Sequence, residues 1–68
     1  MTEEQYNEVV KYRGIIETFA NHGTYIGGAT ALMDYYKLDQ SEKSCQTCVA
    51  AFLITRSIEL EQYEHSNL

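Results

Sequence analysis

The stretch SCQTCVAAFLITRSIELEQYEH, residues 44–65, decides the fold. It contains neither proline nor glycine, and its apolar residues recur at steps of three and four. That spacing places them on one side of an α-helix, so the pattern predicts a helix over residues 45–65. The main apolar face consists of Val49, Phe52, Leu53, Leu60 and Tyr63, and it is widened by Ala51, Ile54 and Ile58. An apolar surface this broad indicates a helix buried on two sides, either between two other helices or against a partner chain.

A polar segment from Asp39 to Ser44 separates this helix from the preceding one. Three starts for the long helix compete there: a capping box of Asp39 with Glu42, Ser41, or Ser44. Before the segment, Thr24 is a suitable cap for a helix over residues 25–38. The apolar positions of that helix are Tyr25, Ile26, Ala29, Leu32, Met33 and Tyr36. Its first half is rich in small residues, and we expect a neighbouring backbone to approach closely there.

The first helix is predicted over residues 3–22. Thr2 and Gln5 match a capping box, and Gly23 can take the left-handed conformation that ends a helix. Gly14 lies inside the pattern and indicates a close helix crossing or a bend. The apolar positions are Tyr6, Val9, Val10, Ile16, Phe19 and Ala20. The sequence therefore predicts an all-α fold, with residues 1–68 forming one domain, a small three-helix bundle.

The size of the chain suggests that this bundle needs help. A folded monomer of 7.8 kDa buries only about 60% of the surface of its unfolded chain. The free energy gained by burying apolar surface then nearly equals the conformational entropy cost of ordering the chain. We expect oligomerisation or a partner chain to complete the fold.

Charge and hydropathy exclude two classes of partner. Ten acidic and five basic residues give a net charge of −5, which opposes binding to nucleic acid. No apolar run reaches the length of a membrane span, so we expect no membrane contact. The acidic start does not resemble a signal peptide, and we expect an intracellular, reducing environment that disfavours a structural disulfide.

Cys45 and Cys48 form the motif most suggestive of chemistry. A redox motif of this spacing needs a preceding strand, which the sequence does not predict. A zinc site needs four ligands, and the other suitable ones, His22 and His65, end different helices. Along the third helix His65 lies about 25 Å from the cysteines. We interpret the cysteines as small buried apolar residues, and expect no metal and no cofactor.

Nothing in the sequence predicts an enzyme. No serine or cysteine can be matched with a histidine and an acid as a catalytic triad. The glycine-rich stretch over residues 23–28 lacks the lysine and hydroxyl residue that end a phosphate-binding loop.

Tyrosine and arginine point instead to protein binding, because both are enriched at interfaces. Six tyrosines are more than a small core needs. Tyr12 and Tyr35 fall off the apolar stripes. Arg56 lies within the most apolar helix, either paired with Glu59 or Glu17 or exposed at an interface. The predicted partner-binding residues are Tyr12, Tyr35, Arg56 and Tyr63.

The segment KSCQTCVAAF, residues 43–52, follows an acidic, tyrosine-rich start. In this the chain resembles small helical proteins encoded by Bacteroidetes and their crAss-like phages. The resemblance implies a virion or phage accessory protein, found in the host cytoplasm or the virion, with no catalytic residues to carry over.

These observations favour a non-enzymatic protein-interaction module, a structural or accessory component of a larger assembly such as a phage virion, with a protein or a second copy as its partner. One alternative is a small acidic regulator that binds a basic host protein through Glu59, Glu61 and Glu64. The other is a metal or redox module built on Cys45 and Cys48.

Overall fold

The computed structural model describes residues 1–25 and 27–67, with the side chain of residue 67 left out. Helices joined by turns and loops make up the described residues, with no strand among them, which confirms the all-α prediction. The five α-helices are α1 (Glu3–Val9), α2 (Arg13–His22), α3 (Thr30–Tyr35), α4 (Gln40–Lys43) and α5 (Gln46–Asn67). A short 3-10 turn, Val10–Tyr12, joins α1 to α2. No helix in this described part of the chain is both long and apolar enough to cross a membrane.

The predicted first helix is interrupted at the 3-10 turn. Its start is as expected, since Thr2 and Gln5 form a capping box with hydrogen bonds of 2.9 and 3.1 Å. Its end is also as expected, because Gly23 adopts φ 71° and donates its N–H to the carbonyl of Phe19. Of the two explanations for Gly14, a close helix crossing or a bend, the crossing is wrong, because open space surrounds the position where its Cβ would be.

The predicted second helix starts later than the sequence indicates. Gly27 and Gly28 have φ values of 100° and 95°, which no α-helix contains, and α3 begins only at Thr30. The predicted helical surface of small residues therefore does not form, although Gly28 does lie close to α2. A Cβ on Gly28 would be 2.9 Å from Cδ1 of Ile15. Ile26, which was predicted to be apolar core, lies outside the described residues.

A left-handed residue ends α3. Lys37 has φ 63°, and its N–H donates to the carbonyl of Asp34, while the N–H of Leu38 donates to that of Met33. This pair of bonds is the Schellman arrangement, usually made with glycine. It ends the helix before residue 38, the predicted end.

The third predicted helix is divided in two. The capping box of Asp39 with Glu42 forms, but it starts the four-residue α4 rather than the long helix. After Ser44 the chain starts again, and α5 runs for 22 residues from Gln46. The N–H of Val49 donates to the carbonyl of Cys45, so Cys45 caps the long helix.

The core lies where α1 and α2 pack against one side of α5, and buried residues of α3 join the same cluster. The sequence predicted the core residues as members of helix faces. Its inclusion of Ala20 is wrong, since that side chain is exposed. The buried residues are Val9, Ile16, Ala29, Leu32, Met33, Val49, Phe52, Leu53 and Leu60.

Candidate functional site

The side of α5 opposite the core carries exposed apolar residues. Ile54 and Ile58 are 47% and 50% exposed, and Ala51 beside them is also exposed. No other helix among the described residues covers them, so burial of α5 between two helices of this chain is wrong, whereas burial against a partner chain stays a prediction. We call Ala51, Ile54 and Ile58 the outer face of α5. Helix geometry explains the arrangement: Leu53 is 0% exposed and Ile54 lies 100° further round the helix.

Polar residues extend the outer face at both ends. Thr47 precedes it at the same side of the helix, and Glu61 and His65 follow it. All three are exposed. On this side of α5, Glu61 and His65 lie towards the C-terminal end of the helix. A shallow depression there is lined by Ile58, Glu61, Gln62, His65 and Ser66.

Arg56 makes its contacts within the chain. Its side chain is 12% exposed, and its Nε lies 2.7 Å from Oε1 of Glu59. Its guanidinium packs over the rings of Tyr36 and Phe52, at 4.4 and 4.8 Å from the ring centroids. An ion pair with Glu59 was one of the explanations for an arginine within this apolar helix. Two cation–π contacts accompany it.

The tyrosines predicted to bind a partner also have contacts within the chain. Tyr35 donates its hydroxyl to Glu4 at 3.0 Å, and burial together with this bond raises its pKa. Tyr63 stacks on Tyr6 with ring centroids 4.5 Å apart. Tyr12 is half-buried against the core, so its assignment outside the apolar stripe is wrong. A role for these residues in binding a partner stays a prediction.

Glu64 joins both ends of the described chain. It forms a two-point ion pair with Arg13 and accepts a hydrogen bond of 2.7 Å from the hydroxyl of Tyr6. The bonds from Arg13 and Tyr6 hold the pKa of Glu64 below its usual value. The hydrogen bond to Glu64 raises the pKa of the Tyr6 hydroxyl.

The acidic surface suggested for a basic partner therefore has fewer unpaired carboxylates than the sequence indicates. Of its three members, Glu59 pairs with Arg56 and Glu64 pairs with Arg13, which leaves Glu61 without an ion pair among the described residues. We find less support here for electrostatic capture than the sequence suggested.

Cys45 and Cys48 are joined by a disulfide, with their Cα atoms 5.1 Å apart. The interpretation as small buried thiols is wrong, because Cys48 is exposed and Cys45 only half-buried. The expectation that a disulfide is disfavoured also fails in this structure. Residues 45 and 48 meet because one helical turn separates them at the start of α5.

The histidines end their helices, as expected. His22 is in the last turn of α2 and His65 in the last turn of α5, and both are exposed. Within residues 1–25 and 27–67, no group of three histidine, cysteine or acidic side chains lies close enough together to hold a metal ion.

A further cleft lies between the end of α2 and the start of α5. Phe19, Tyr25 and Val49 form its apolar wall, and Lys43 lies at its edge. Lys43 is paired with Asp34, so its charge is already matched. Ser44 and Gln46 also line the cleft, so its surface is about equally polar and apolar.

No protein family, curated protein or solved structure matches this chain. The candidate site therefore has to be judged from its own geometry.

Proposed function

We propose that this chain works by binding protein, as a small structural or accessory component of a larger assembly, and takes no part in catalysis. The observation that supports this is the outer face of α5. Ile54 and Ile58 expose about half of their side chains one helical turn apart. Covering apolar surface of this kind is favourable by roughly 25 cal/mol for each Å² removed from water.

A second copy of the chain is the partner that fits the charges best. In an antiparallel pair centred between Ile54 and Ile58, Glu61 meets the partner's Ala51. The two Glu61 carboxylates are then kept apart, and each approaches the N-terminal half of the opposite helix, where the helix dipole favours negative charge. A parallel pair instead brings the two Glu61 side chains together.

The pairing is also compatible with two-fold symmetry. A two-fold interface uses the same patch on both copies, and the outer face supplies its own apolar complement. The predicted bundle is then completed by the α5 of the second copy, as the small size of the chain leads us to expect. We place this assembly in a phage or virion on the sequence resemblance alone.

The decisive experiment is sedimentation equilibrium, or size exclusion with light scattering, over a wide range of protein concentration. We expect a reversible monomer–dimer equilibrium. The double variant Ile54→Ser, Ile58→Ser removes the apolar surface and is expected to remain monomeric. The matched control Ile54→Leu, Ile58→Leu keeps that surface and is expected to associate.

Two results would overturn the proposal. One is a wild-type chain that stays monomeric at every concentration. The other is a serine double variant that associates as strongly as wild type, which would assign the contact to another surface. Circular dichroism of each variant checks that the helices are retained.

A further inference from the structure

The disulfide between Cys45 and Cys48 lies at the N-terminus of the longest helix. It closes a ring of only one helical turn and is at the surface. We propose that it is a redox-reversible site, which exchanges with small thiols or with the dithiols of reducing proteins. The proposal is independent of the outer face of α5.

The two cysteine residues differ in exposure. Cys48 is exposed, whereas Cys45 is half-buried. An attacking thiolate must approach one sulfur in line with the S–S bond and expel the other. The exposure of Cys48 makes its Sγ the point of attack, and Cys45 is then the leaving group.

The position of Cys45 suits a leaving thiolate. Its Sγ accepts a hydrogen bond of 3.1 Å from the N–H of Cys48. Cys45 also precedes the first turn of α5, where backbone N–H groups without helical partners and the helix dipole favour negative charge. Negative charge on the expelled sulfur is therefore stabilised in place.

The surrounding backbone does not depend on the disulfide. The N–H of Cys45 donates to the carbonyl of Glu42 at 3.2 Å, and the N–H of Val49 donates to that of Cys45 at 2.9 Å. Val49 is buried in the core. These contacts hold the start of α5 in either redox state, so reduction leaves the helices folded.

The reaction with glutathione proceeds in two exchanges. A glutathione thiolate forms a bond to Sγ of Cys48 while the Cys45–Cys48 bond breaks, and Cys45 leaves with the electron pair as a thiolate. A second glutathione thiolate attacks the glutathione sulfur of this mixed disulfide and releases the Cys48 thiolate. The protein disulfide gains two electrons, and two glutathione molecules are oxidised to one glutathione disulfide.

The test equilibrates the whole chain in buffers of reduced and oxidised glutathione, then quenches with iodoacetamide and measures the mass. We expect the disulfide form and the doubly alkylated form to interconvert fully, from either direction, as the glutathione ratio changes. Far-ultraviolet circular dichroism is expected to be the same at both extremes. The variant Cys45→Ser, Cys48→Ser controls for alkylation elsewhere.

The direction of attack is tested by quenching early. Fragmentation of the trapped intermediate is expected to find glutathione on Cys48 and the alkyl group on Cys45, in at least about tenfold excess over the reverse. Glutathione on Cys45 would overturn the assignment. A pair that stays oxidised in reduced glutathione, or stays reduced in oxidised glutathione, would overturn reversibility, as would loss of helix on reduction.

Discussion

Leu53 and Ile54 are adjacent residues of similar size in opposite surroundings, and they allow a direct test of how α5 is oriented. Leu53 is 0% exposed in the core, whereas Ile54 is 47% exposed on the outer face. Leu53→Ala removes buried methyl groups and leaves a cavity, which costs about 2–5 kcal/mol. A domain of 68 residues has a total free energy of unfolding of roughly 3–10 kcal/mol.

The expected effect on melting is large. The unfolding entropy of a chain this size is about 0.14 kcal/mol/K, so each kcal/mol lost lowers Tm by about 7 °C. A loss of about 3 kcal/mol therefore lowers Tm by about 20 °C. Ile54→Ala is the matched control. It gives up less buried surface and gains helix propensity, so we expect a cost below about 1 kcal/mol.

Thermal and urea unfolding followed by circular dichroism measure both variants. Protein concentration is kept as low as the signal allows, so that self-association does not contribute to the stability of either chain. Equal losses for the two variants, or a larger loss for Ile54→Ala, would refute the orientation of α5 and with it the outer face.

Three further predictions concern single positions. The pKa of Glu64 is lowered in the folded state, so its ion pair with Arg13 stabilises the fold above the pKa of the unfolded carboxyl, and this stabilisation is lost as pH falls through the folded value. Glu64→Gln is therefore expected to lower stability at neutral pH and flatten the acid dependence in urea titrations between pH 6 and 3; an unchanged slope would contradict this. Gly28→Ala places a Cβ against a side chain at φ 95° and is expected to cost about 1–3 kcal/mol, whereas Gly14→Ala, in open space within a helix, is expected to stabilise by up to about 1 kcal/mol. Lys37→Gly relieves a left-handed lysine and is expected to raise stability by up to about 1 kcal/mol in urea unfolding; a loss would mean that the lysine side chain makes a stabilising contact.

The core was predictable because it depends on local periodicity. Ile16, Leu32, Leu53 and Leu60 were each placed on a helix face by steps of three and four, and each is buried. Both capping boxes were also predictable, since Thr2 with Gln5 and Asp39 with Glu42 need only a short, local arrangement of side chains.

Helix bounds were less predictable where glycine is involved. Apolar spacing around Gly27 and Gly28 resembles a helix, but the backbone takes a conformation that other residues rarely adopt. The loop places Gly28 against Ile15 of α2, and that contact between distant segments has no counterpart in local spacing.

The sequence indicated the candidate site only through an apolar surface on α5 that is broader than one contact needs. The breadth of the apolar surface of α5 indicated more than one contact, yet spacing alone does not say whether Ile54 and Ile58 face a helix of the same chain or water. Spacing also does not reveal the contacts of Arg56 and Tyr63, because Tyr36 and Tyr6 come from distant segments of the chain.

The bonds of Glu64 to Arg13 and Tyr6 span 51 and 58 residues of sequence. A ribosome adds residues one after another, so these bonds form only after residue 64 has left the exit tunnel. The apolar faces of α1 and α2 have no α5 to pack against until then, although both helices were made first. Folding of this chain is therefore completed only once residue 64 has emerged, and until then the apolar faces of α1 and α2 lack the surface that covers them.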